Sequence, residues 1–392
     1  MAQDKKISQL TPAGPLSGSE LAVIASGADN YSVTVNQLKA VNTDGVTVFG
    51  DGTLSSPLSA SIATAGWSLT GNAGTIPSTN FLGTTDNTIL NIRVNNIQSG
   101  VIDHLLHNTA LGYQSLQVNT SGNNNSAFGY QSLRVNTSGN NNSAFGYQSL
   151  FSNFGVDNTA VGHTTLYSNT NGIRNNAFGM EALYSNDSGS ANSAFGWRSL
   201  KNNTTGYSNS AFGYITLMSN TTGYENSAFG LFSLTDNTTG INNDAFGKDS
   251  LTNNTTGNSN SAFGDRALYL NVTGDKGVAV GYHALYSNTQ GNNTAVGAEA
   301  LKNASSGCYD NTAIGYQAGS GIYSGQFNST SLGARSLATE NNQIKFGNSI
   351  VHWTFDGMAA YANNAAALLG GLIVGDIYYT NVGGDGILKI VI

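Results

Sequence analysis

Charged residues, proline and cysteine are all scarce in this chain. Asp, Glu, Lys and Arg make up 9% of its 392 residues, against roughly 25% in an ordinary domain. Disordered chains combine few apolar residues with high net charge or much proline. This chain has 39% hydrophobic residues, 4 prolines and a net charge of -7, so the composition predicts an ordered protein.

These scarcities argue against several function classes. Phosphate binding needs clustered Lys and Arg, and the 15 present form no cluster, so we expect no nucleic-acid partner. The one cysteine, Cys308, allows no disulfide within the chain and is expected to fill space in the array. The polar start has no apolar stretch of signal-peptide length. No run approaches the roughly 18 apolar residues of a membrane span, so we expect no membrane insertion and no export with a membrane anchor.

Glycine is abundant, at 49 residues, and recurs at a fixed interval. Ala-Phe-Gly or a close variant recurs every 17 residues, with occasional intervals of 16 or 18. It ends at Gly112, Gly129, Gly146, Gly162, Gly179, Gly196, Gly213, Gly230, Gly247, Gly264, Gly281, Gly297, Gly315 and, in a degraded copy, Gly333. The consensus is N-S-A-F-G-Y-Q-S-L-x-x-N-T-T-G-x-N, in which two apolar pieces of strand length alternate with turn residues. Each repeat is therefore predicted to be one coil of an all-β parallel solenoid, or β-roll, of about fourteen coils.

Two repeated sets of residues are the structural candidates. Asparagines three places after the repeat leucine are predicted to stack into a hydrogen-bonded ladder: Asn119, Asn136, Asn153, Asn169, Asn186, Asn203, Asn220, Asn237, Asn254, Asn271 and Asn288. The large apolar residues of the two pieces are predicted to form the core: Phe128, Leu133, Phe145, Leu150, Phe178, Leu183, Phe195, Leu200, Phe212, Leu217, Phe229, Leu234, Phe246, Leu251, Phe263 and Leu268.

The strand pattern also predicts self-association. In Ser126-Ala127-Phe128, alternation sends Ala127 to one face and Phe128 to the other. Because both faces carry apolar or small residues, one is expected to line the coil interior and the other to contact another chain. One Phe, one Leu and one Ala per coil make a thin core, so we predict a homo-oligomer, most simply a homotrimer about the fibre axis.

Catalytic, cofactor-binding and metal-binding sets are not evident. Glycosidases need paired carboxylates at a fixed separation, but Glu181, Glu225 and Asp244 occupy different coil positions. His104 and His107 have metal-ligand spacing only on a helix, and we expect them in a connector instead. Tyrosines repeat after the glycine (Tyr130, Tyr147, Tyr214, Tyr282, Tyr316) and after the leucine (Tyr167, Tyr184, Tyr269, Tyr286). They are expected to pack between coils or chains, with sugar binding as the alternative.

The motif NSAFGYQSL resembles the head repeat of trimeric autotransporter adhesins, in which NSVAIG-type coils build a left-handed parallel β-roll of three chains. The resemblance covers about residues 108–335. The coils here are longer, with the extra residues in the Asn-Thr-Thr-Gly turn, so the cross-section is expected to differ. The resemblance implies a trimeric, adhesive fibre.

The flanking segments divide the chain further. Residues 1–45, with KKISQLTPAGPLSGSELAVIASGADNYSVTVNQLKAV, resemble the N-terminal anchor of bacteriophage fibre and virion-decoration proteins, and are expected to hold two strands and a short helix. Residues 46–107 are a transition or stalk module. Residues 336–392 are a cap and tip, with two capping strands in 346–357 and two more at 376–380 and 387–392. Their ending, YANNAAALLGGLIVGDIYYTNVGGDGILKIVI, resembles the C-terminus of phage tail and head fibre proteins.

These features together favour a bacteriophage virion structural protein: a homotrimeric tail, collar or capsid fibre on the exterior of the particle. The N-terminus is expected to contact other virion proteins, and a host-surface glycan or receptor is a candidate partner. One alternative is a bacterial trimeric surface adhesin, and another is a tailspike-type polysaccharide-degrading enzyme. An ice-binding solenoid fits less well, because threonine does not form a regular flat array.

Overall fold

The computed structural model describes residues 81–322 and 324–347, together with the backbone of four strands outside these ranges. The chain divides into two compact units, Met1–Thr85 and Asp86–Ile392. In the first unit, β1 (Val46–Phe49) and β2 (Ser59–Ile62) pair antiparallel. The strands and helix predicted within residues 1–45 lie outside the described residues.

An antiparallel hairpin begins the second unit. It comprises β3 (Leu90–Val94) and β4 (Ile97–Asp103), and β4 also pairs antiparallel with β5 (Asn108–Leu111). The hairpin therefore covers the edge of the first coil, whose backbone groups would otherwise be an unpaired sheet edge. His104 and His107 lie in the turn between β4 and β5, as expected for connector residues.

From β5 to β19 every strand pairs in parallel with the next, and equivalent residues of successive repeats lie opposite each other. The sheet from β3 to β19 has 17 strands, and the described residues contain no helix. The all-β solenoid predicted from the repeat is thus confirmed. The further strands are β6 (Ser126–Phe128), β7 (Ser143–Phe145), β8 (Thr159–Val161), β9 (Asn176–Phe178), β10 (Ser193–Phe195), β11 (Ser210–Phe212), β12 (Ser227–Phe229), β13 (Asp244–Phe246), β14 (Ser261–Phe263), β15 (Val278–Val280), β16 (Thr294–Val296), β17 (Thr312–Ile314), β18 (Thr330–Leu332) and β19 (Ile344–Phe346).

Backbone hydrogen bonds join neighbouring coils around the whole circumference, not only at the strands. In the coil that starts with β11, the amide of Ile215 donates to the carbonyl of Trp197 in the preceding coil at 2.9 Å. The amide of Leu217 donates to Ser233 in the following coil at 3.1 Å. Each coil is therefore bonded on both sides, as expected of a repeat array whose units stabilise each other.

The coil closes through residues with left-handed backbone conformations. Each coil has a glycine such as Gly247 (φ +139°), where a Cβ atom would lie 2.6 Å from the carbonyl oxygen of Gly264. Side-chain-bearing residues adopt positive φ as well, as at Ile215 (φ 59°), Leu217 (φ 50°) and Glu225 (φ 56°). Such conformations cost roughly 1–2 kcal/mol per residue, so the contacts between coils must offset a repeated backbone cost.

The interior of the coil is narrow and partly polar. The strand alanines from Ala127 to Ala313 and the repeat leucines from Leu133 to Leu301 are fully buried. Two asparagines per coil are buried beside them in most coils. A fully buried leucine contributes roughly 1.5–3 kcal/mol, so polar contacts must provide much of the remaining stability.

Three strands that the structure describes follow the last coil of the predicted array along the chain. The parallel sheet continues through β19, one strand beyond residue 335, and the capping strands predicted in 346–357 lie almost wholly outside the described residues. The strands predicted at 376–380 and 387–392 correspond to β20 (Ile377–Val382) and β21 (Asp385–Ile390), which pair antiparallel.

Candidate functional site

The predicted asparagine ladder forms one continuous column of side chains. Ten hydrogen bonds of 2.6–3.5 Å join its eleven members, each Nδ2 donating to Oδ1 of the preceding member. In every member but Asn288, which donates to Gln290 O, the same Nδ2 also donates to the turn glycine of its own coil, as from Asn220 to Gly223 O at 2.9 Å. Each central member therefore fixes both the neighbouring coil and its own turn.

A second asparagine column was missed in the sequence analysis. These side chains stand immediately before the strand, and each Oδ1 accepts from the backbone amide of the next coil at 2.8–3.1 Å. Their Nδ2 atoms donate to turn glycines, as from Asn209 to Gly223 O at 2.9 Å. The signal was the first letter of the consensus, N-S-A-F. The unbroken part of this column comprises Asn108, Asn125, Asn142, Asn158, Asn175, Asn192, Asn209, Asn226, Asn243 and Asn260, and after Gly277 the same bond recurs at Asn293 and Asn311.

The predicted core is right for the leucines and wrong for the phenylalanines. The eight leucines of the predicted set are fully buried, whereas Phe145 and Phe263 are each 40% exposed. Phe128, Phe178, Phe195, Phe212, Phe229 and Phe246 are only partly buried. Strand alternation holds, but the methyl group of alanine is the side chain that points inward. The interior already holds a leucine and two asparagines per coil, which leaves no room for a phenyl ring.

The outward residues form an apolar column along the strand face. It contains one residue per coil, each opposite its equivalent: Leu111, Phe128, Phe145, Val161, Phe178, Phe195, Phe212, Phe229, Phe246, Phe263, Val280, Val296, Ile314 and Leu332. Six consecutive rings, Phe178 to Phe263, stack with centroids 4.6–5.0 Å apart and planes within 9° of parallel. We call these fourteen residues the apolar column.

Seven of the nine predicted tyrosines stack on an aromatic ring of a neighbouring coil, whereas Tyr282 stacks on the adjacent His283 and Tyr316 lies under Arg335. Tyr113, Tyr130, Tyr147 and His163 stack with centroids 4.8–5.5 Å apart. Phe151, Tyr167 and Tyr184 form a similar stack, and Tyr269 pairs with Tyr286. Stacked rings cover each other's faces, so they present edges and hydroxyl groups outward. A sugar stacks on an exposed aromatic face, and such faces remain only where a stack ends.

Ion pairs link coils on other flanks. Glu181 contacts Arg198 Nε at 2.7 Å and Lys201 Nζ at 2.8 Å. The hydrogen bond from Lys201, helped by Arg198 and opposed by burial, lowers the pKa of the Glu181 carboxyl. The carboxylate is thus partnered by two cations, which makes it a structural link and leaves it unsuited to proton transfer at neutral pH.

His283 combines a lowered pKa with two buried ring nitrogens. Its ring stacks on Tyr282 with centroids 3.9 Å apart, and neither buried ring nitrogen has a hydrogen-bond partner among the described residues. Burial, reinforced by Lys302 and Arg266, lowers the pKa of His283. The imidazole is therefore neutral at pH 7, and protonating it would place a charge in an apolar aromatic contact.

Two open cavities lie at irregular coils. One of about 490 Å³ is lined by residues including Gln326, Leu337 and Glu340, and one of about 310 Å³ by residues including Asp275 and Lys276. Each has a single acidic residue in its lining. Cys308 is fully buried in the array, where it was expected.

Within residues 81–322 and 324–347, no cluster of three or more His, Cys, Asp or Glu side chains could hold a metal ion. The same part of the chain has no helix with the length and hydropathy that a membrane crossing requires. No protein-family model matches the chain, and no curated protein sequence is significantly similar to it.

Proposed function

We propose that this chain is a structural protein of a bacteriophage virion, in which three copies form a fibre on the particle exterior. The solenoid is the stiff spacer, the N-terminal segment contacts other virion proteins, and the C-terminal end faces outward. Attachment to a host-surface glycan or receptor is the function of that end. Three tips on one rod allow weak contacts to add through multivalency.

The unbroken asparagine ladder is the observation that best supports the proposal that the solenoid is a stiff spacer. Ten successive side-chain hydrogen bonds, with the parallel backbone bonds around each coil, resist bending and slippage between coils. At about 4.8 Å per strand layer, the array from β5 to β19 is roughly 65–70 Å long. A rod of this length separates a particle from a contact surface, which is what a fibre requires.

The outward faces also suit a structural role. The aromatic rings stack face to face and present their edges outward, and the acidic side chains of the ion pairs have basic partners. These side chains are therefore used in contacts between coils. The phage assignment itself comes from the resemblances at residues 1–45 and 336–392. A bacterial surface adhesin with the same repeat is the main rival.

Immunogold labelling tests the proposal directly. Antibodies against the solenoid would be applied to intact phage particles released by cells that carry this gene, and to the envelopes of the same cells. We expect gold at one place on the particle and none on the envelope. Label on the envelope with unlabelled particles would refute the phage assignment and favour the adhesin.

The tailspike alternative has its own test. Purified full-length protein would be incubated with host envelope polysaccharide, and soluble oligosaccharide would be measured by mass spectrometry. We expect no release over that of heat-denatured protein. Time-dependent release at catalytic protein concentrations would show an enzyme instead.

A further inference from the structure

Every member of the apolar column is at least partly exposed, along the whole array. Six of its fourteen members are exposed, from Val296 at 38% to Leu111 at 54%, and the others are partly buried. An aromatic side chain has roughly 150–250 Å² of surface, and if the aliphatic members are taken at the lower end of that range these six expose on the order of 450 Å². With the partly buried members counted in the same way, the column exposes on the order of 800 Å². The largest apolar patch of a typical monomer is about 300–600 Å², and a stable interface buries about 800 Å² per partner.

The rest of this strand face is almost free of charge. The outward residue two places before each column member is mostly Ser or Thr, as at Ser193, Ser210 and Ser227. Across these fourteen positions the only charged residue is Asp244. Soluble surfaces are commonly about 25–35% charged, whereas the cores of interfaces are depleted in charge and rich in aromatic residues.

From these observations we infer that the apolar column is the contact between copies of this chain, which pack side by side, parallel and in register. The inference rests on the proposed homotrimeric fibre and assigns its interface to a particular face. Only another array with the same spacing can match an apolar residue to every coil over about 65 Å. Stacked phenyl rings present their edges outward, which suits packing against an equivalent ridge of rings.

A matched pair of double variants tests the inference in the full-length chain. Phe212→Asp with Phe229→Asp places two charges in the column. Tyr214→Asp with Leu231→Asp places the same charges two residues further along the same coils, at side chains that are 46% and 38% exposed. Sedimentation velocity and native mass spectrometry give the oligomeric state, and far-ultraviolet circular dichroism reports whether the β structure is retained.

We expect the wild type and the Tyr214/Leu231 variant to be oligomers, and the Phe212/Phe229 variant to be a monomer with the same circular dichroism spectrum. A monomeric wild type at about 10 μM would overturn the inference. It would also be overturned if the Phe212/Phe229 variant stayed oligomeric. Neither result depends on immunogold labelling, so the interface can fail while the virion assignment stands.

If the Phe212/Phe229 variant does not fold, hydroxyl-radical footprinting of the unmodified protein tests whether the apolar column is an interface. Phe145 and Phe263 are each 40% exposed in the single chain, while Tyr130 and Tyr147 are 42% and 43% exposed. If the column is an interface, the two phenylalanines should be oxidised several-fold more slowly than the two tyrosines. Comparable oxidation rates would show that the column faces water and would refute the inference.

Discussion

Replacing one central asparagine tests whether the ladder holds the coils together. Asn220 is fully buried, and its Nδ2 donates to Asn203 Oδ1 at 2.7 Å and to Gly223 O at 2.9 Å. Its Oδ1 accepts from Asn237 Nδ2 at 2.9 Å. The substitution Asn220→Ala removes all three bonds.

The expected loss follows from these contacts. A hydrogen bond contributes about 0.5–1.5 kcal/mol net, and leaving a buried polar group unsatisfied costs about 1–3 kcal/mol. Gly223 O keeps the bond from Asn209, and Asn237 keeps its bond to Gly240 O. Asn203 Oδ1 is the group left without a donor. We therefore expect Asn220→Ala to destabilise the protein by about 3–5 kcal/mol.

The assay must resolve local stability, because repeat arrays can open locally without unfolding as a whole. Native-state hydrogen exchange read by mass spectrometry gives the opening free energy of each coil. We expect Asn220→Ala to lower this opening free energy in the coils around residue 220. Asn202→Ala is the matched control: Asn202 is exposed and its side chain makes no hydrogen bond within the part of the chain that the structure describes. Its effect should stay within about 0.5 kcal/mol. Equal exchange in the two variants would refute a structural role for the ladder.

Three further predictions concern pH and backbone. The folded-state pKa of Glu181 is lowered. The free energy that its carboxylate contributes to folding is therefore fully present above the unfolded-state pKa and is lost as pH falls through the folded-state pKa. Glu181→Gln should therefore lower Tm at pH 7 but not at pH 2–3, whereas Glu225→Gln should lower it at neither; a Tm deficit that persists in acid would contradict the ion-pair account. The pKa of His283 is also lowered, so stability should fall between pH 7 and pH 5, and His283→Phe should reduce this fall in Tm; an unchanged pH profile would contradict this. Gly247→Ala should destabilise its coil through both backbone strain and collision of the new Cβ with Gly264 O. Gly325 also has a positive φ, but no atom lies within 4 Å of an added Cβ, so Gly325→Ala should reduce hydrogen-exchange protection less; an equal reduction in the two variants would contradict the collision.

Much of the fold could be predicted from the period alone. A 17-residue repeat with strand-length apolar pieces and turn residues has one economical solution, in which like residues stack on like. That stacking also places the predicted asparagines in one column, because their spacing equals the repeat. The second column is not evident from the sequence, because its asparagine stands directly before the strand, where asparagine is also a common turn residue.

Which face of each strand points into the coil depends on the tertiary structure. In Ser-Ala-Phe, alternation defines two faces but does not say which one is inside, and hydrophobicity alone ranks Phe above Ala. The space inside the coil settles the choice, since buried leucines such as Leu217 and two asparagine columns occupy it, and the inward strand position holds only small residues, alanine in most coils and Ser331 in β18. The period, the coil and the asparagine ladder all follow from the repeated residues. The closed cross-section of the coil, which no short segment encodes, placed the phenylalanines outside.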